Sequence, residues 1–171
     1  RVLRSNLNLA NARFLYGCYG YNLDVLARGP IWDLDLDFQC GTGHGVGYLG
    51  NIHEPPTGFR WYVVPSKNEH HKLEEGMVMT DEPGIYEDGK FGIRIENEFI
   101  VQKGTKNKYG QFMYLETITF APIDLDGIDP EEMSKDEIAW LNNYHKDVYE
   151  KIGPHLTEEE REWLKGYTRA I

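Results

Sequence analysis

The sequence places two glutamates, Glu82 and Glu96, on the two strands of a predicted β-hairpin. If residues 88–90 form its loop, Glu87 pairs with Phe91, and counting outward from that pair places the two glutamates opposite each other. Directly opposed carboxylates repel each other unless a cation lies between them, so the pair is typical of a site for divalent ions. A surface hairpin with solvated acids is the alternative, and a two-residue turn would shift the pairing by one position.

Three other side chains could complete such a site. Arg94 lies two positions before Glu96 and therefore on the same strand face, where a guanidinium could orient a ligating carboxylate. His44 lies within Gly41-Thr-Gly-His-Gly-Val-Gly47, and His53 lies within Asn51-Ile-His-Glu54. Histidine supplies a nitrogen ligand or carries a proton, and flanking glycines permit a close backbone approach. The same glycines are compatible with a flexible or tightly turning loop.

These residues lie in a stretch of glycine-punctuated β segments between Cys40 and Phe120. Strands are predicted at Tyr62–Val64, Met77–Tyr86, Phe91–Gln102 and Met113–Phe120. Turn sequences separate the last three segments, which predicts an antiparallel sheet. The pair His70-His71 is predicted to lie in a solvated turn.

Helices are predicted before the sheet region. A first helix is indicated by the spacing of four apolar residues, Leu3, Leu7, Ala10 and Phe14. A second is predicted from Asn22 to Arg28 and should end at Gly29-Pro30. Residues 31–37 alternate apolar and acidic side chains, which fits either a half-buried strand or the tail of a helix and a loop. Their aspartates are predicted to form a solvated face.

Helices are also predicted after Pro122. Asp129-Pro130 offers an N-cap followed by a proline at the first helical position. Capping boxes at Ser134 and Thr157 predict two further helix starts, and Gly153-Pro154 should end the earlier helix.

Composition limits the classes of function. The chain has 171 residues, of which 40% are hydrophobic and 27% charged, and this is typical of one folded domain. Its net charge of −10 argues against nucleic-acid binding. Two cysteines are too few for a disulfide framework, and no apolar run is long enough to span a membrane. The expected location is therefore the cytoplasm.

Four segments together resemble the motifs of Xaa-Pro aminopeptidases in order and spacing. They are Gly-Thr-Gly-His-Gly-Val-Gly (41–47), Asn-Ile-His-Glu (51–54), Asp-Glu-Pro-Gly-Ile-Tyr (81–86) and Gly-Ile-Arg-Ile-Glu-Asn (92–97). The resemblance is to the pita-bread metallopeptidases, which include prolidases and methionine aminopeptidases, and it runs along nearly the whole chain. It implies an α+β fold that is half of a pita-bread domain, with a curved antiparallel sheet covered by helices.

The resemblance also implies a reaction and a site. In this family two aspartates, one histidine and two glutamates hold two divalent ions, which activate a water for peptide hydrolysis. At the matching positions His44, Glu82 and Glu96 would be metal ligands, and Glu82 would also accept a proton. His53 would donate to the substrate, and Arg94 would hold the ligands in place. Carboxylate-rich ligation favours Mn²⁺, with Zn²⁺ or Co²⁺ as alternatives. The substrate would be a peptide with proline at its second position.

In the family both aspartates come from strands that would precede residue 1. Residues 1–171 would then be a single partial domain, the carboxyl-terminal part of the catalytic domain, and the isolated chain should be inactive. Sheet edges without partners predict a homo-oligomer or pairing with the missing amino-terminal half. Cys40 stands where related enzymes often have a histidine. It is predicted to be a small packing residue, with a redox-sensitive or metal-adjacent role as the alternative.

Two other functions compete with this interpretation. One is a prolidase that acts on Xaa-Pro dipeptides. The other is a pita-bread module that binds peptides without catalysis, although such a module would not need His44, Glu82 and Glu96.

Overall fold

The structure is a computed structural model that describes residues 1–67 and 71–171. It divides into two compact units, residues 1–119 and residues 120–171. The helices of the first unit are α1 (Val2–Ala10) and α2 (Gly20–Trp32). Its strands are β1 (Arg13–Leu15), β2 (Gly43–His44), β3 (Gly58–Phe59), β4 (Val78–Asp81), β5 (Gly84–Glu87), β6 (Phe91–Arg94), β7 (Asn97–Asn107) and β8 (Gly110–Thr117). The second unit contains α3 (Lys135–Ile152) and α4 (Glu158–Tyr167).

The first unit is built on an antiparallel sheet with the strand order β1-β8-β7-β4. Helix α1 contacts β4 and β8, while α2 packs on α1 and β3. Alternate residues of β4 and β7 point into this layer, where Met79, Phe99 and Val101 are fully buried. Helices on an antiparallel sheet confirm the predicted α+β class.

The hairpin register agrees with the sequence prediction. The ladder pairs on either side of the two glutamates are Asp81 with Asn97, Gly84 with Arg94, and Glu87 with Phe91. Two residues lie between the ladders on each strand, so Glu82 and Glu96 occupy opposed positions. Pro83, which has no N–H to donate, interrupts the first strand. The predicted long strands are therefore each divided in two at the glutamates.

Helix α2 is longer than predicted, because Pro30 lies inside it rather than ending it. A proline removes one backbone donor, but the helix continues around it and the amide of Asp33 donates to Gly29 O at 2.9 Å. Burial of Ile31 in an apolar cluster stabilises this last turn. Residues 31–37 are thus a helix end and a turn, not a strand.

Two further local predictions were wrong. Phe14 lies in β1, paired with Met113, and α1 ends at Ala10. Residues Tyr62–Val64 are not in a strand, and the side chains of Tyr62 and Val63 are exposed. Strands β2 and β3, two residues each, were not predicted because so short a segment has no periodicity.

In the second unit the predicted caps are confirmed. Ser134 and Thr157 form capping boxes with Glu137 and Glu160 at the starts of α3 and α4. Asp129 caps a short 3₁₀ turn, Pro130–Glu132, rather than an α-helix. Helix α3 ends at Ile152, before Gly153-Pro154.

Among the described residues, none of the helices has both the length and the hydropathy needed to cross a bilayer.

Candidate metal centre

Glu82 is held on three sides in the interruption between β4 and β5. Its backbone amide donates to Thr42 O at 2.7 Å. The Thr80 hydroxyl donates to its Oε1 at 3.0 Å, and Arg94 Nη1 lies 2.8 Å from its Oε2. Only 9% of Glu82 is exposed. The carboxylate is therefore fixed in one orientation, with Arg94 as a counter-charge.

His44 reaches Glu82 because β2 lies against β4. Its amide donates to the Thr80 hydroxyl at 3.0 Å, so Thr80 bridges the two site residues. The approach requires glycine beside His44: a Cβ on Gly43 would lie 2.0 Å from Thr80 O, and one on Gly45 would lie 2.2 Å from Glu54 O. The glycines of this segment thus serve close packing.

The hydrogen bonds of His44 determine which ring nitrogen is available. Nδ1 lies 2.9 Å from Gly45 O, and since a carbonyl only accepts, Nδ1 carries the hydrogen. In the neutral ring Nε2 then carries a lone pair instead of a hydrogen. This atom lies 3.1 Å from Oε1 of Glu82. Two acceptor atoms at this distance attract a proton or a metal ion between them. A backbone-anchored imidazole with a free Nε2 is the arrangement of a metal-ligating histidine.

Glu96 faces this pair across the hairpin. Partial burial raises the pKa of its carboxyl, and the negative charge of Glu82 raises the pKa further. Arg94 and His44 act in the opposite direction. The two opposed carboxylates therefore repel each other, and a cation bound between them would relieve this repulsion.

Of the other histidines and cysteines named from the sequence, His53 lies beside His44. The ring centroid of His53 is 4.0 Å from that of His44. Cys40 is partly buried and packs against an apolar cluster that includes Phe38 and Ile85, as expected for a packing residue. His71 is exposed, while His70 lies outside the described residues.

Sequence reasoning missed Asp81, which is fully buried beside Glu82. Both of its carboxyl oxygens are without a hydrogen-bond partner among the described residues. Burial raises the pKa of Asp81 well above its ordinary value, and the charges of Glu82, Asp24 and Glu96 add to this effect. Because successive side chains of a strand point to opposite faces, the sequence predicts that Asp81 faces away from Glu82. It does not predict that Asp81 is buried.

Sequence reasoning also missed the hydrogen bonds made by Asp37 in the acidic stretch after α2. Asp33 and Asp35 are exposed as predicted, whereas Asp37 accepts hydrogen bonds from Arg28 and Trp32.

The donors present fit a divalent ion: one imidazole nitrogen and two carboxylates. Within residues 1–67 and 71–171, however, no three His, Cys, Asp or Glu side chains are arranged to hold a metal ion by themselves.

Comparisons with known proteins agree along the whole chain. The sequence profile of Metallopeptidase family M24 matches residues 1–103, and that of the C-terminal region of peptidase_M24 matches residues 111–171. Aminopeptidase P1 from Arabidopsis thaliana is 43% identical over 175 residues, which cover 99% of this chain and 26% of that protein.

Two solved structures are similar to this chain in fold and sequence. An X-prolyl aminopeptidase from Caenorhabditis elegans, described as a cytosolic enzyme with a di-nuclear active site, has 38% identity and a TM-score of 0.89, over 99% of this chain and 28% of that chain. An Xaa-Pro dipeptidase from Bacillus anthracis has 34% identity and a TM-score of 0.53, over 72% of this chain and 30% of that chain. The expected pita-bread fold is confirmed. The chain spans between 26% and 30% of the length of these three relatives.

Proposed function

Because this chain belongs to metallopeptidase family M24, we propose that it is the carboxyl-terminal part of an aminopeptidase that removes an amino-terminal residue preceding proline. The observation that carries the proposal is that Nε2 of His44 faces Oε1 of Glu82 at 3.1 Å while Nδ1 is held by Gly45 O. The likeness to aminopeptidase P1 and to the X-prolyl aminopeptidase supports the choice of substrate.

In this proposal His44, Glu82 and Glu96 are metal ligands for two divalent ions. The chemistry of the donor set favours Mn²⁺, with Zn²⁺ and Co²⁺ as alternatives. When bound, such ions lower the pKa of water and polarise a peptide carbonyl. Two aspartates supplied from outside residues 1–171 complete the site. Since no described group of three ligands forms a site by itself, the isolated chain is expected to be inactive.

The protein residues then have distinct roles. Thr80 and Arg94 hold the two oxygens of Glu82, so that the carboxylate can accept a proton in a fixed orientation. Glu96 would supply a second carboxylate ligand from the opposite strand. His53, next to His44, donates a hydrogen bond to the peptide near the charge that develops at the carbonyl.

The whole protein is proposed to act in the cytoplasm, as the Caenorhabditis elegans relative is described to do. Residues 1–171 are proposed to form a single partial domain of the catalytic domain. They would pair with an amino-terminal half or with a second copy, because β1 and β4 are the edge strands of the four-stranded sheet and β5–β6 form a separate two-stranded sheet.

The test uses this chain alone and this chain with the preceding part of its reading frame restored. Both are assayed with Mn²⁺ on a tripeptide with proline second, on the same peptide with alanine second, and on an Xaa-Pro dipeptide. We expect the restored protein to release the first residue of the proline tripeptide only, and the isolated chain to release nothing.

Each other outcome has a meaning. Equal cleavage of the alanine peptide would contradict proline specificity. Cleavage of the dipeptide alone would favour the prolidase alternative, for which the Bacillus anthracis dipeptidase is the structural precedent. Peptide binding without hydrolysis by the restored protein would favour a non-catalytic module.

A further inference from the structure

One buried arginine organises the irregular segment that joins α2 to β2. Arg28 is 1% exposed and lies on α2, where its Nε is 2.8 Å from Asp24 Oδ2. Its Nη1 donates to Asp37 Oδ1 at 2.8 Å and to the carbonyl of Phe38. Its Nη2 donates to Cys40 O at 3.2 Å. Residues 37–40 form no helix or strand, so Arg28 supplies donors that regular structure would otherwise supply.

The same guanidinium continues to Thr42. Arg28 Nη2 lies 3.4 Å from the Thr42 hydroxyl, which itself donates to Asp24 Oδ1 at 2.6 Å. Asp24, Arg28 and Thr42 therefore close a small buried ring of polar contacts. Each is at most 1% exposed, so each contact forms away from competing water. Only arginine offers a planar set of donors that can reach several acceptors in different directions.

Thr42 connects this ring to the candidate metal centre. Its amide donates to Phe59 O at 2.9 Å, and its carbonyl accepts the amide of Glu82 at 2.7 Å. Two residues further along the chain is His44, whose position in β2 depends on the same segment. The backbone at Thr42 thus connects the buried ring to both His44 and Glu82.

We propose that Arg28 is a positioning residue of the metal centre, which acts through Thr42 to hold the His44 imidazole and the Glu82 carboxylate at their mutual distance. That the positioned side chains bind metal ions rests on the proposed function. The effect of Arg28 on the positions of His44 and Glu82 can be tested without a metal ion. The hydrogen bonds described for Arg28 go to α2 and to residues 37–42, not to the side chains of His44 or Glu82. Its effect is carried by the segment 37–42 and by one backbone hydrogen bond.

The first test observes His44 directly in the metal-free chain. The chain is labelled with ¹⁵N-histidine, and the ring nitrogens are recorded in the presence of a chelator. A neutral ring held by Gly45 gives one N–H signal for Nδ1 and one lone-pair signal for Nε2. In Arg28→Lys and Thr42→Val we expect the two ring-nitrogen signals of His44 to move toward each other, because the ring exchanges between its two tautomers. Thr42→Ser keeps the hydroxyl and should show the parent signals.

Arg13→Lys is the matched control, because Arg13 is exposed on β1. A folded Arg28→Lys chain with the parent His44 signals would overturn the proposal. If Arg28→Lys does not fold, Asp37→Asn decides instead, since this partner of Arg28 is 43% exposed and its loss is milder. Changed His44 signals in that variant support the proposal, and unchanged signals refute it.

The second test is Mn²⁺ affinity by titration calorimetry in the restored protein. Loss of a group that orients metal ligands typically weakens metal binding by roughly 10-fold to 100-fold. We expect this loss for Arg28→Lys and not for Arg13→Lys. Absence of Mn²⁺ binding in the parent would reject the proposed function, whereas the histidine signals would still decide the positioning role.

Discussion

Nε2 of His44 lies 3.1 Å from Oε1 of Glu82, although the two residues are far apart in the sequence. The Nδ1 hydrogen bond to Gly45 O makes Nε2 the ring nitrogen that meets the carboxylate, with a lone pair in the neutral ring and with an N–H donor in the protonated ring. Thr80 fixes both partners, with its hydroxyl accepting from one and donating to the other. This geometry is preorganised for a positively charged species between the two atoms.

Removing the charge of Glu82 should change the titration of Glu96. The charge of Glu82 raises the pKa of Glu96, second only to burial, so Glu82→Gln should lower the pKa of Glu96. Carboxyl ¹³C shifts of the glutamates, followed against pH in the presence of a chelator, measure this change. Glu87→Gln, on the outer end of the hairpin, is the control. An unchanged titration of Glu96 would show that the two carboxylates are not close.

Asp81→Asn should stabilise the metal-free chain near neutral pH. The pKa of Asp81 is raised in the folded state, mainly by burial, so the folded chain binds more protons than the unfolded chain above the ordinary aspartate value. Stability is therefore lost as the pH rises through this window. Asparagine remains a buried polar side chain but cannot ionise, so the variant should lose this pH dependence and exceed the parent in stability most at the upper end of the window. Urea denaturation at several pH values tests this, and a variant with the parent pH dependence would refute it.

His145 should make the second unit sensitive to acid. It is fully buried in α3, its Nε2 accepts the amide of Ile123 at 3.0 Å, and burial lowers its pKa. The unfolded chain then binds the extra proton first, so stability is complete above the ordinary histidine pKa and falls as the pH drops toward the lowered value. The protection factor of the Ile123 amide, which corrects for the pH dependence of intrinsic exchange, should fall over this range. His155→Gln, outside this contact, should leave the pH dependence unchanged, while His145→Gln should flatten it.

The close approach of β2 to β4 can be tested with one methyl group. Gly43→Ala places a Cβ 2.0 Å from Thr80 O, which forces the strands apart and should destabilise the chain by about 1–3 kcal/mol. Gly166→Ala is the matched control, because its Cβ would meet nothing within 4 Å and it lies on α4 with no proline after it. That change should leave the stability of the chain within about 0.5 kcal/mol of the parent or raise it slightly through helix propensity. Equal thermal unfolding of the two variants would contradict the packing at Gly43.

The sequence by itself determined those parts of the site that local rules control. A tight turn after Glu87 fixes the register of the hairpin, and that register carries outward to place Glu82 opposite Glu96 even across Pro83. Capping boxes likewise located the starts of α3 and α4, because the bonds join residues three positions apart. In both cases the interacting groups are neighbours along the chain.

Only the tertiary structure decided which distant groups meet. The contact of His44 with Glu82 depends on strands too short to show a periodicity, and the buried ring around Arg28 depends on how residues 37–42 fold back on α2. The burial of Asp81 likewise follows from the packing of α1 on β4, where Asn6 donates to Asp81 O. Such contacts are selected by the free energy of the whole packed unit, so no local pattern of residue types specifies them.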